Sequence, residues 1–452
     1  MESGFLLATH LTVAVAIVLG SIVVLKWSPV LGLVIGSLYM GLAAGLGLVN
    51  TVGEVTKGFG DLMAGIGLSI GFGVIIGQLL YDCGGARAIA LAMVRRFPEK
   101  WVLYGIGLTA FVFGIPVFYD VTFVILIPLA LALTVELKKP LPYAVCAVVI
   151  GAATAHTLVP PTPNPLAAAG ILGFDLGVMI VAGLAIGAVA AVASMKTMFW
   201  LLDRGLWSKE KDESGAAVAS STPKPGPAKT ASLALSVIPI VAPIVLILLG
   251  TVWAAIDPQV PVVVQFFSNK VIAMLVGAVA AYLVATTTMT ASEREASAST
   301  AMASAGVVLL ITGAGGAFGA VIKATGVGEL VAGGVAGSSN SALLAVVITY
   351  GMAAVFRVAQ GSGTVASITT MTIMGGAGLA AAAGLHPVWV ALAALAGGIS
   401  IGHVNDSGFW VTTNLSGLTV TGGLKMYTLS VFLISVVVFA FALLGAAVVP
   451  EL

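Results

Sequence analysis

His156-Thr-Leu-Val-Pro-Pro-Thr-Pro-Asn-Pro165 and His403-Val-Asn-Asp-Ser-Gly-Phe-Trp410 are short polar breaks, each set inside an apolar run long enough to cross a bilayer. A membrane core tolerates unwound backbone where protein or a water-filled cavity surrounds it, so such breaks mark where a polar solute or ion sits. Pro160, Pro161, Pro163 and Pro165 remove four backbone donors, and each ring disfavours helix at the residue before it. The helix should therefore stop and restart across 158–165. The free N–H groups and positive dipole ends left behind suit an anion such as a carboxylate.

Composition places these breaks in a membrane protein. The chain has 452 residues, 59% of them hydrophobic, with 19 basic and 18 acidic side chains. Its mean hydropathy is +1.14. That polar surface is far too small to cover a soluble globule of this length. A net charge of +1 gives no nucleic-acid footprint, and two cysteines, Cys83 and Cys146, make no disulfide framework. The first basic residue, Lys26, follows the first apolar run, so that run is expected to remain as a helix rather than be cleaved as a signal.

Apolar stretches of about 20 residues, the length that spans roughly 30 Å of hydrocarbon, fall near 5–25, 29–49, 62–81, 141–170, 175–201, 232–253, 271–290, 300–322, 386–415 and 426–449. The fourth and ninth carry the breaks. Two more stretches, about 101–138 and about 339–385, are interrupted at Gly114-Ile-Pro-Val-Phe-Tyr-Asp120 and at Arg357-Val-Ala-Gln-Gly-Ser-Gly-Thr364. They read as re-entrant helical hairpins. Arg87, Arg95, Arg96 and Lys100 on one flank of the first hairpin, with Lys138 and Lys139 on the other, put both its ends on the cytoplasmic side. Counting crossings from there places 15 of the 19 basic residues inside, with Lys57, Lys270 and Lys323 outside and Arg357 in a tip. Both termini are then extracytoplasmic.

Residues 204–230, rich in charge, Pro and Ser, read as a cytoplasmic flexible linker between residues 1–203 and 231–452. Each half has five spanning helices, one of them broken, and one hairpin; five crossings is odd, so the halves are inverted repeats. The expected fold is an all-α polytopic membrane protein. A shift of 247 residues superimposes Gly151 on Gly398, His156 on His403 and Thr122 on Thr369.

Charged groups at membrane depth cost roughly 2.5–3.5 kcal/mol on insertion scales and are functional candidates by default. Asp120, Arg357 and Asp406 stand out. The guanidinium of Arg357 matches a carboxylate, either of a substrate or of an acidic partner. Asp120 and Asp406 suit proton transfer if a dry site favours their neutral form, or else serve as hydrogen-bonded structural carboxylates. His156 and His403, matched in the repeat scheme, are either titrating groups or satisfied buried histidines. Thr162, Asn164, Ser362, Gly363, Thr364, Asn405 and Ser407 offer hydrogen bonds and close backbone approach to a small ligand. With four histidines and no His-Glu-x-x-His, a zinc hydrolase is not indicated, and no Gly-x-x-x-x-Gly-Lys-Ser/Thr is present to bind ATP. No cofactor or metal is expected.

At these residues the chain resembles the gluconate permease family, the gluconate:proton symporters of the wider ion-transporter superfamily. The resemblance extends over most of the chain and rests on Gly114-Ile-Pro-Val-Phe-Tyr-Asp-Val-Thr-Phe-Val-Ile-Leu-Ile-Pro128, on His156-Thr-Leu-Val-Pro-Pro161 and above all on His403 to Trp410. Relatives carry Phe-Phe-Glu where this chain has Phe118-Tyr119-Asp120, and His-Gly-x-x-Pro-Pro-His-Pro where it has Thr157 and Thr162. The resemblance implies an inner-membrane importer of small hydroxy-carboxylates such as gluconate. It further implies a homodimer in which a transport domain of hairpins and broken helices slides as an elevator against a scaffold domain. The residue reading itself leaves open proton-coupled uptake of a small organic anion, Na⁺-coupled uptake by the same architecture, and an anion channel; an enzyme is disfavoured.

Overall fold

The computed structural model describes residues 2–94, 97–98, 101–136, 139–214, 231–257, 259–326, 341–404 and 406–451. Among them there is no strand, apart from a single bridge between Glu213 and Leu418. The first half contains α1 (Glu2–Val23), α2 (Pro29–Ala43), α3 (Leu48–Asp82), α4 (Gly85–Val94), α5 (Val102–Gly114), α6 (Tyr119–Glu136), α7 (Leu141–Leu158), α8 (Pro163–Leu172) and α9 (Leu176–Asp203). A single turn, α10 (Lys209–Asp212), precedes the second half. That half contains α11 (Leu233–Ile256), α12 (Val262–Ser268), α13 (Lys270–Ala285), α14 (Ala291–Ala324), α15 (Ser341–Gln360), α16 (Gly363–Gly376), α17 (Pro387–Ile399), α18 (Ser407–Leu415) and α19 (Leu429–Val448). Seven described helices are long and apolar enough to cross a membrane, eight if α12 and α13, bent by 62°, make one span. The linker residues 215–230 and positions 339–340 lie outside the described residues.

Helix α3 is longer than its apolar window, and the reason is local. Residues 48–61 carry Glu54, Lys57 and Asp61, which lower hydropathy without breaking helix, and Gly58 among them is buried against α14. The long α3 and α14 pack extensively on each other. Helix α13 leans on α3, and α2 leans on α14. A capping box starts α14: Glu293 N–H donates to Thr290 Oγ1 at 3.3 Å, and Thr290 N–H donates to Glu293 Oε2 at 2.7 Å.

Helices α5, α6, α8 and α9 pack on α7, and α8, α15, α16 and α19 pack on α17. The apolar window of 141–172 is 89% buried, against 28–56% for the other candidate spans, so the first break lies inside protein and not against lipid. Close approach there depends on glycine. A Cβ at Gly151 would strike Gly107 O, Ala110 Cβ and Phe111 N of α5; one at Gly397 would strike Tyr350 O, Ala353 Cβ and Ala354 N of α15. Each glycine meets the same one-four-five pattern on its neighbour, and the two stand 246 positions apart, one fewer than the shift read from the sequence.

Contacts between loops fix helix directions. The turn before α14 meets the turn after α3, with Thr288 Oγ1 donating to Cys83 O at 3.1 Å, and Ser214 N–H donates to Gly417 O at 2.9 Å. Thr251 Oγ1 donates to Asp175 at 2.9 Å, and His386 N–H donates to Pro450 O at 2.6 Å. Helix α9 therefore starts beside the end of α11, and α17 starts beside the end of α19.

Candidate functional site

Four chain ends converge on one cavity of about 390 Å³. They are the tip between α5 and α6, the tip between α15 and α16, the break between α7 and α8, and the break between α17 and α18. Each is built by a residue type that ends helix. Helix α7 stops at Leu158, and α8 restarts with Pro163 at its first position behind Thr162. Gly361, with φ of +81°, turns the chain between α15 and α16, a conformation that costs glycine nothing. Ser362 caps α16 by accepting Val365 N–H at 3.4 Å. Asp406 caps α18 by accepting Gly408 N–H on Oδ1 at 2.9 Å.

The charged centre spans the second tip and the second break. The Nη2 of Arg357 donates to Asp406 Oδ2 in a buried ion pair, and its Nη1 donates to Gly361 O. Arg357 is 3% and Asp406 7% exposed. The hydroxyl of Tyr427 donates to Asp406 Oδ2 and lies 3.4 Å from Arg357 Nη2. A side chain at Gly402 would strike Arg357 and Asp406, so glycine there lets the pair close. Arg357 Nε is buried without a partner among the described residues.

The opposite wall belongs to the first tip and the first break. Asp120 stands in the first turn of α6 and lines the cavity. His156 packs its ring against Phe118 at 5.4 Å between centroids. Its Nδ1 and Asn164 Oδ1 are buried without partners among the described residues. Uncommitted buried polar atoms facing a cavity are what a polar ligand would satisfy. The lining thus carries one guanidinium against two carboxylates.

Of the residues singled out in the sequence, Asp120, His156, Asn164, Arg357, Ser362, Gly363, Thr364, Asp406 and Ser407 line this cavity together. Thr162 does not. It is buried beside Gly73 and Pro116 in a separate small void, and its hydroxyl donates to Val159 O at 2.7 Å. His403 does not line it either; its Nε2 lies 3.1 Å from Val358 O. Asn405 lies outside the described residues. Phe118, Tyr119 and Thr157, which stand in the motifs of the resemblance but were not named as site residues, also line the cavity, as does Tyr427. Tyr119 stands next to Asp120 in sequence and bonds Thr412 Oγ1 at 2.6 Å, so adjacency was a signal for it. Tyr427 gave none, sitting two residues after Lys425 like an interfacial aromatic.

The fold and the buried polar cavity define a multi-pass membrane transporter. The chain belongs to the GntP family of permeases: the model for "GntP family permease" matches residues 6–448. It is 34% identical over 429 residues to the inner membrane permease YgbN of Escherichia coli K12, covering 89% of this chain and 90% of that one. It is 30% identical over 418 residues to a high-affinity gluconate transporter of the same organism, covering 91% and 92%. Among solved structures, the YdaH transporter of Alcanivorax borkumensis superposes with a TM-score of 0.66 at 13% identity, over 92% of this chain and 97% of that one, a likeness of fold. The protein is a permease of the inner membrane, not an enzyme.

Proposed function

We propose that this permease imports a small polyhydroxylated carboxylate, gluconate or a related sugar acid, together with protons. The observation that carries this reading is the charge balance of the cavity. Arg357 is already paired with Asp406, and Asp120 adds a second carboxylate, so with both acids ionised the lining carries a net charge of minus one. An entering carboxylate then meets repulsion, about 3 kcal/mol for like charges roughly 6 Å apart at an effective dielectric near 20. Protonating one acid removes that penalty, which ties the anion to a proton. Asp120 is the group proposed to carry it, since Arg357 and Tyr427 both hold Asp406. The guanidinium, with Ser362 to Thr364 at the head of α16, receives the carboxylate. His156, Thr157 and Asn164 face the hydroxyls.

The two halves act as inverted repeats, a reading supported by the like contacts of Gly151 and Gly397 and by the opposite directions of α9 and α19. The hairpins are re-entrant and move with α7 to α9 and α17 to α19 as an elevator against a scaffold built on α3 and α14, in a homodimer. The deciding experiment is D-gluconate uptake into proteoliposomes under an inward pH gradient or an inward Na⁺ gradient, applied separately. Accumulation under the pH gradient in Na⁺-free buffer is expected. Accumulation that requires Na⁺ and ignores pH would overturn the proton assignment.

A further inference from the structure

Asp212, outside the cavity, is 0% exposed although it sits in the single turn α10 that precedes the linker. Burying a carboxylate in so short an element is costly unless it is held. Lys425 Nζ donates to its Oδ2 at 2.7 Å, and Ser208 N–H donates to the same oxygen at 2.8 Å. The backbone around it is tied to one loop. Thr419 N–H donates to Asp212 O at 2.9 Å, Thr419 Oγ1 donates to Lys211 O at 2.8 Å, and Ser214 N–H donates to Gly417 O at 2.9 Å. A side chain at Gly422 would strike Asp212 O, and one at Gly423 would strike Thr413 and Phe409 of α18, so the loop is pressed between the 208–214 segment and α18.

That loop leads directly to the charged centre. Lys425 lies in the π-helical turn Leu424–Thr428, whose Tyr427 donates to Asp406 and whose Thr428 Oγ1 donates to Gly402 O in the second break. We infer that Asp212 is a positioning residue for the transport site: by anchoring Lys425 it fixes the turn that presents the Tyr427 hydroxyl to Asp406. The stretch leading into the linker thereby holds one wall of the cavity, which neither Asp212 nor Lys425 lines. The inference rests on the reading of that cavity as the transport site.

The test uses the full chain in nanodiscs and proteoliposomes, with two readouts. Ser407 is an exposed part of the cavity lining and the native Cys83 and Cys146 are buried, so the rate of maleimide labelling of Ser407→Cys reports the second break without needing a substrate. Added to that parent, Lys425→Met and the double variant Asp212→Asn/Lys425→Met should label several-fold faster. On the chain with native Ser407, the same changes should raise the KM for D-gluconate about tenfold, more than Vmax falls, as expected when one well-placed hydrogen bond is lost. Lys425→Arg should stay near its parent in both. If Lys425→Met fails to insert, the double variant, which leaves no unpaired buried carboxylate, carries the test. Unchanged labelling in a folded double variant, even with a lowered melting temperature, would overturn the inference. If the protein takes up no gluconate, the reading of the substrate fails, while the labelling rate still decides the role of Asp212.

Discussion

Separating the stability of the Arg357–Asp406 pair from its use in transport requires comparing a variant that removes one member with one that neutralises both. Arg357→Ala leaves Asp406, 7% exposed, with the Tyr427 hydroxyl and Gly408 N–H as its remaining partners. Removing one member of a buried pair costs about 3–5 kcal/mol, because the other charge stays behind in low dielectric. Replacing both by neutral isosteres, Arg357→Gln/Asp406→Asn, retains hydrogen-bonding shape and should cost about 1 kcal/mol. The double variant should therefore be about 2–4 kcal/mol more stable than Arg357→Ala. Unfolding by SDS titration in mixed micelles measures that difference on the single and double variants. The double variant should regain most of the stability lost by Arg357→Ala and still fail to transport. If it is as unstable as Arg357→Ala, to within about 0.5 kcal/mol, the two residues are not an energetic pair and the charge balance assigned to the cavity is wrong.

Arg357→Lys keeps the charge but loses the second fork nitrogen that reaches Gly361 O, so the KM for gluconate should rise about 30-fold, the equivalent of about 2 kcal/mol; a folded variant with unchanged KM would assign Arg357 to structure alone. The two histidines of the breaks should separate. His156→Ala, which removes a cavity-lining ring, should lower uptake at least about tenfold, while His403→Ala, away from the lining, should stay within about threefold. Asn164→Ala should raise KM about tenfold by deleting an uncommitted buried acceptor, whereas Thr162→Ala should leave KM unchanged because its hydroxyl is spent on Val159 O. Uptake assays on equal amounts of folded protein check all of these.

The breaks and tips were legible because helix-breaking chemistry is local. Four prolines within six residues, or Gly361-Ser362-Gly363, disrupt a helix whatever surrounds them. The charged candidates were legible for a related reason, since Asp120, Arg357 and Asp406 stand out against apolar neighbours. Side-chain direction was not. Thr162 and Asn164 are two residues apart in one break, yet one faces the void by α3 and the other the cavity, a difference set by how the restarted helix is rotated. The shift of 247 residues differs by one from the 246 that separates Gly151 from Gly397, whose like backbone contacts leave no mark in residue identity. Tyr427 depends on a π-helical turn and on a clamp to Asp212, 215 positions away in the chain, neither of which leaves a periodic trace.

The most direct test of proton-coupled sugar-acid import follows both species in one vesicle. Proteoliposomes containing an internal pH-sensitive dye, in Na⁺-free buffer with no imposed pH gradient, are given external D-gluconate. The lumen should acidify with saturable dependence on gluconate, and Asp120→Asn should abolish acidification while still exchanging labelled gluconate for unlabelled. Gluconate entry without acidification, or acidification undiminished in Asp120→Asn, would contradict the coupling derived from the cavity's charge.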